Sequence, residues 1–152
     1  MDDEHFMRAA LQEAKKAFER DEVPIGAVAV CKERIIARGY NQVELLKDAT
    51  AHAEMLCIGA ATQHLDNWRL LETTLYCTIE PCTMCAGAMF LSRIKRLVWG
   101  APDLRHGANG SWIDLFVYKH PMHVMEVTSH VLASECATLM QEFFEKCRKR
   151  KR

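Results

Sequence analysis

With 152 residues, 49% hydrophobic and 26% charged, the chain has material for one domain with a full core and not for two. That composition excludes a disordered tail, a collagen-like repeat and a small disulfide scaffold. Lys plus Arg equals Asp plus Glu at 20 each, so net charge alone gives no reason to expect a nucleic-acid partner.

The N-terminus, Met1-Asp2-Asp3-Glu4, is acidic where a secretory signal is basic, and no apolar stretch follows it, so a cytoplasmic protein is expected. Residues 3–20 carry Phe6, Met7, Ala10, Leu11, Ala14, Ala17 and Phe18 at three- and four-residue spacing, which predicts an amphipathic helix. Pro24 and Gly26 lead into an apolar strand over Ile25–Cys31. Lys32-Glu33 reads as a tight turn and Arg34–Tyr40 as the returning strand. Residues 51–63 are predicted helical, with Thr50 as N-cap. Thr73–Ile79, β-branched and aromatic, is a strand. Pro81 then opens a helix over Cys82–Ser92, proline being tolerated at a helix start. Arg96–Gly100 is a short strand, followed by a Gly-, Asn- and Pro-bearing loop through Gly110. Val124–Thr128 is predicted as strand and Ala133–Arg148 as an amphipathic helix. The apolar runs Ile25–Cys31 and Cys85–Leu91 have seven residues each, against about 20 for a membrane-spanning helix, so no membrane partner is expected. Strands alternating with helices predict an α/β fold, a three-layer α/β/α sandwich on one central mixed sheet of about five strands.

Charge is unevenly spread. Six of the last seven residues, Lys146 and Arg148 to Arg152, are cations, which leaves 14 cations against 20 anions in the rest. The chain therefore divides into a domain, residues 1–145, and a basic tail, residues 146–152, which reads equally as an electrostatic arm or as a solubilising end. The seven cysteines are an odd number and argue against a complete disulfide framework. Cys31, Cys57 and Cys77 read as small buried hydrophobes, and Cys136 and Cys147 have no neighbouring partner. Trp68, Trp99 and Trp112 read as packing residues. His64, His106, His120, His123 and His130 are scattered and read as surface or satisfied core.

Two short motifs carry chemistry: His52-Ala53-Glu54 and Pro81-Cys82-Thr83-Met84-Cys85. Either alone is weak, since a CxxC pair also serves as a redox dithiol and a His-x-Glu triplet arises by chance. Together, each at a predicted helix start, they are stronger. Cys82 and Cys85 lie one helical turn apart, so both sulfurs can meet one ion, and His52 completes a Cys₂His set. Structural zinc takes four protein ligands, whereas catalytic zinc takes three and keeps one position open. The positive ends of the two helix dipoles favour thiolates and a hydroxide there. Glu54, two residues past His52, stands where a carboxylate can move protons. The pattern H-x-E…P-C-x-x-C is that of the zinc deaminases.

The sequence resembles the bacterial tRNA-specific adenosine deaminases, a branch of the cytidine/deoxycytidylate deaminase superfamily. The resemblance runs from the first helix to about Lys146. It is carried by Glu22-Val23-Pro24-Ile25-Gly26-Ala27-Val28, Gly39-Tyr40-Asn41, Thr50–Glu54, Leu75–Cys82, Met84–Met89, Ser92-Arg93-Ile94, Gly107–Ser111 and Leu132–Ala137. It implies a cytidine-deaminase-like fold and one Zn²⁺ per subunit on His52, Cys82 and Cys85, with Glu54 as proton shuttle. It further implies that Asn41 hydrogen-bonds the target nucleotide, that the Ala53 backbone reads the base edge and that Val23, Pro24 and Ile25 wall the pocket. Asp103 falls where the family contacts neighbouring nucleotides, although Pro102 stands where relatives often carry a basic residue. The implied activity is deamination of the wobble adenosine of a tRNA anticodon stem-loop to inosine by a homodimer. The residues themselves also fit a deaminase of a free base or nucleoside such as guanine, cytosine or cytidine, and a non-catalytic zinc-dependent RNA-binding module.

Overall fold

The computed structural model describes residues 2–151; Met1 and Arg152, the latter the last cation of the basic tail, lie outside them. Its frame is five strands: β1 (Gly26–Cys31), β2 (Arg34–Tyr40), β3 (Thr73–Ile79), β4 (Arg96–Ala101) and β5 (Glu126–Thr128). Five α-helices surround it: α1 (Asp3–Glu19), α2 (Val43–Leu46), α3 (Ala53–Leu65), α4 (Thr83–Leu91) and α5 (Ala133–Arg150). The sheet order is β2-β1-β3-β4-β5, with β1 antiparallel to both β2 and β3, and β3, β4 and β5 mutually parallel. The expected mixed sheet of five strands is present.

Every residue of β1 is buried, as a strand covered on both faces requires. Alternate side chains divide between two cores. Ala27, Ala29, Leu75, Cys77, Leu97 and Trp99 pack with Cys57, Ile58 and Met89 of α3 and α4. Val28, Val30, Tyr76 and Val98 pack with Phe6, Met7, Ala10 and Leu11 of α1 and with Cys136 of α5. Those two clusters are the two sides of the three-layer sandwich. Cys31, Cys57 and Cys77 are buried as read, and burial pushes the Cys57 and Cys77 thiols up, away from reactive thiolate.

The β1–β2 turn is made by Lys32 and Glu33, both at positive φ (51° and 64°), the two-residue type I′ geometry that matches strand twist. The Asp2 side chain caps α1 by accepting the His5 N–H at 2.9 Å. Asp3 then ties the helix start to the sheet: both carboxylate oxygens accept from Arg96 (2.8 and 2.6 Å) and Oδ1 accepts from the Tyr76 hydroxyl at 2.8 Å. The Arg96 guanidinium holds the Asp3 carboxyl below its ordinary value of 3.8. A depressed carboxyl stabilises the folded state above the unfolded-chain value and loses that contribution as pH falls through the folded one. Asp3→Asn should therefore cost about 1–2 kcal/mol at pH 7, read as a lower thermal midpoint. The gap to wild type should close once the pH falls below the folded value; a pH-independent gap would show that charge is not the cause.

Sequence and structure part at four places. The shortest α-helix, α2, and a 3₁₀ turn at Leu115–Val117 have no counterpart among the predicted elements. Thr50 does not cap α3; its hydroxyl and N–H both bond Asp48 Oδ1, and His52 occupies the N-cap position. Trp99 is buried, but Trp68 and Trp112 are 52% and 59% exposed, so they are not packing residues. The last helix runs on to Arg150, and Lys146 and Arg150 both reach Asp21 (3.2 and 2.9 Å) at the end of α1. Among the described residues no helix is long and apolar enough to cross a membrane.

Candidate active site

Two helix starts create the site. His52 is the N-cap residue of α3 and Cys82 that of α4, both with extended backbone and neither using its side chain as a cap. A side chain at such a position projects beyond the helix end, where exposed N–H groups and the helix dipole favour anions. Cys85, one turn into α4, is fully buried and turns its sulfur to the same point. Two ligands at Zn–S of about 2.3 Å and Zn–N of about 2.05 Å, set at a tetrahedral angle, stand roughly 3.5 Å apart. His52 Nδ1 is 3.6 Å from the Sγ of both Cys82 and Cys85. The three donor atoms lie within 4.8 Å of one another, and no other His, Cys, Asp or Glu among the described residues joins them. The donor set thus fits a zinc ion with one open position.

The cluster also shifts protonation. Hydrogen bonding from Cys85 and His52 brings the Cys82 thiol down to about 4, while the same Cys82 contact and burial push the Cys85 thiol up. The contact with Cys82 raises His52. Glu54, 4% exposed, stands in the first turn of α3 beside the donors, and burial lifts its carboxyl to about 7. Its Oε1 is buried without a hydrogen-bond partner, which points to a ligand-side hydrogen-bonding group as the missing partner.

Gly39 brings β2 against the start of α3. A Cβ there would stand 2.5 Å from the Ala53 carbonyl oxygen and 2.9 Å from the Cys57 nitrogen, so no side chain fits between strand and helix. Asn41, 6% exposed, follows at the end of β2 and accepts the Ala53 N–H on Oδ1 at 2.7 Å. Because a donor faces it, the amide orientation is fixed, leaving NH₂ as its donor end. The Asn41 N–H in turn bonds the Ile25 carbonyl at 3.1 Å, and Ile25 N–H closes on Val23 across the buried Pro24 at 2.8 Å. The structure so joins Val23–Ile25, Asn41, Ala53 and the His52–Glu54 pair in one run of contacts. The Ala53 N–H is engaged by Asn41, so the two residues present a single unit.

Asp103 is half-buried in the loop after β4. Its Oδ1 accepts the N–H groups of Arg105 and His106 (3.1 and 3.2 Å), which folds the loop tip upon it. The loop is tied to the cysteine segment by the Ala108 N–H on the Pro81 carbonyl at 2.8 Å. Leu104 at that tip is 80% exposed. The scattered histidines stay outside the donor set: His120 stacks on Phe90 at 4.9 Å, and His123 Nε2 meets the Ile94 carbonyl at 2.6 Å.

Two of the buried acids that sequence leaves without a role hold segments beside the site. Glu22, 2% exposed, accepts the N–H groups of Glu44 and Leu45 (3.0 and 2.7 Å) and so builds α2 beside Asn41. Glu80, equally buried, binds the loop after β4. Glu22 stands beside Val23 and Pro24 in the link from α1 to β1, and Glu80 between Ile79 and Pro81 just past β3; an acid among apolar or proline neighbours is the available signal.

Residues 1–101 match the family model described as the cytidine and deoxycytidylate deaminase zinc-binding region. The chain is 53% identical to the chloroplastic tRNA(adenine(34)) deaminase of Arabidopsis thaliana, covering 94% of this chain but only 12% of that longer protein. It is 47% identical to the tRNA-specific adenosine deaminase of Bacillus subtilis, covering 99% of this chain and 93% of that one. A solved structure from a study of A-to-I editing by tRNA:A34 deaminases at the wobble position of transfer RNA superposes with a TM-score of 0.82. That match has 46% identity and covers 89% of this chain and 98% of the other.

Proposed function

The chain belongs to the cytidine and deoxycytidylate deaminase family and carries its zinc-binding region, and we propose that it hydrolyses the wobble adenosine of a tRNA anticodon stem-loop to inosine, releasing ammonia. The observation that carries the chemistry is a three-donor set at tetrahedral spacing beside a buried acid whose Oε1 has no partner. The RNA substrate is supported by the names and high coverage of the bacterial relatives.

His52, Cys82 and Cys85 hold one zinc ion per subunit, which when bound supplies the Lewis acidity that makes water a nucleophile near neutral pH. Glu54 orients the attacking water at Oε1 and moves both of its protons: the first goes to the purine ring nitrogen, where inosine keeps it, and the second passes from the added hydroxyl to the amine, which leaves as ammonia as the C–N bond breaks and the carbonyl forms. Asn41, fixed by Ala53, donates to the target nucleotide, and Val23, Pro24 and Ile25 wall the base. An anticodon loop suits such a recess because its unstacked bases turn out cheaply. Asp103 and the exposed tip around Leu104 meet the nucleotides beside the target. Arg148, Lys149 and Lys151 add phosphate contacts, Lys146 and Arg150 being engaged with Asp21. The active form is a cytoplasmic homodimer. Apolar residues at 68–78% exposure, Leu91, Val117, Tyr118, Met122 and Val124, support a covered face.

Incubation of the zinc-loaded protein with an adenosine-bearing anticodon stem-loop should yield inosine and one ammonia per turnover, while free guanine, cytosine and cytidine persist. Stem-loop affinity should fall steeply with salt, by a log–log slope of about −0.7 per phosphate contact. Turnover of a free base with salt-independent kinetics would favour the small-molecule reading. RNA binding without ammonia would favour a non-catalytic module.

A further inference from the structure

Glu80 stands two residues ahead of Cys82, 2% exposed, and is not one of the clustered metal donors. Both of its oxygens are spent on a single loop, residues 102–111. Oε1 accepts the Asp103 N–H at 3.1 Å and the Ser111 hydroxyl in a short contact. Oε2 accepts the N–H groups of Asn109 and Ser111 at 2.8 and 3.2 Å. One carboxylate thus grips the start and the end of the loop, while Leu104, Arg105 and His106 between them are exposed. Charged acceptors make the stronger hydrogen bonds, and burial keeps water from replacing these. Gly107 lies flat on the carboxyl group; a Cβ at that position would overlap Glu80 Cδ and both oxygens.

The geometry points to Glu80 as the positioning residue that sets the recognition loop relative to the metal cysteines. It joins the strand that delivers Cys82 to the loop that carries Asp103, so the tip is held at a fixed place over the site. The assignment deepens the RNA-deaminase reading and rests on it, because that reading makes this loop a substrate contact.

Glu80→Gln tests it at one bond. The glutamine carbonyl can still serve the N–H groups of Asn109 and Ser111, and the Ser111 hydroxyl can rotate to accept from the new NH₂. The Asp103 N–H is then left facing a donor. In the zinc-loaded full chain, hydrogen exchange at the Asp103 amide should quicken while the β3 and α4 amides do not change. KM for the stem-loop should rise on the order of 10-fold, with kcat within about threefold and zinc content intact. Gly107→Ala, which displaces the same carboxylate without touching its charge, should give the same split. It also stands in should Glu80→Gln fail to fold. Unchanged KM in Gly107→Ala, a loss confined to kcat, or loss of zinc would each overturn the assignment. Absence of inosine with the wild-type protein would sink the deaminase reading. A working wild type with unaltered Asp103 exchange in Glu80→Gln would sink only the role of Glu80.

Discussion

Glu54→Ala is expected to lose about 10²–10⁴-fold in kcat on the anticodon stem-loop, the range that general acid–base groups contribute, with zinc content and stem-loop affinity close to wild type. The metal should stay because Glu54 is outside the donor set of His52, Cys82 and Cys85. Stability should not suffer in Glu54→Gln, since the replaced carboxyl is buried and its Oε1 satisfies no partner in the folded chain. Metal analysis, a stem-loop binding curve and single-turnover inosine formation measure the three quantities separately. Comparable turnover in Glu54→Ala would remove the shuttle role. Loss of zinc would make the residue structural.

His52→Ala should do the opposite: the ion leaves, and stability goes with it. An ion that binds only the folded chain at about 1,000 times its Kd adds about 4.1 kcal/mol. With about 2–4 °C of midpoint per kcal/mol in a chain of this size, the loss is roughly 8–16 °C. The His52 side chain makes no capping hydrogen bond to α3, so a lower midpoint reports the metal and not a lost cap. Calorimetry of wild type with and without chelator supplies the comparison. Wild type should fall to the His52→Ala value, and chelator should leave the variant unmoved. A variant that binds zinc with undiminished affinity would exclude His52 from the set.

The cluster of three possible metal donors was legible in the sequence because its parts are local. Helical spacing aligns Cys82 with Cys85, and helix starts place His52 and Glu54. The sheet was legible because buried strands such as Gly26–Cys31 and Thr73–Ile79 lie in apolar runs bounded by turn residues. What escaped depends on partners far along the chain. The four residues of α2 have too little periodicity to register, and their exposed N–H groups are met by Glu22, 22 and 23 residues away. Thr50 has the chemistry of a cap, but Asp48 takes its hydroxyl, and Asn41, 12 residues back, takes the Ala53 N–H. Lys146 and Arg150 read as free cations until the fold sets them against Asp21, 125 and 129 residues away. Trp68 is the exception in distance: its ring, 52% exposed, lies under the guanidinium of the adjacent Arg69 at 4.2 Å.

Strands β3 and β4 run parallel and pair Ile79 with Ala101 at their carboxyl ends. The segment leaving the first enters the cysteine pair, and the segment leaving the second becomes the loop around Asp103. Under the proposed function, topology separates two tasks that meet in space: bond-breaking follows one strand, discrimination the next. A lineage can rewrite the second segment, in length or in character, and inherit the first untouched, so new specificities need not reinvent the reaction.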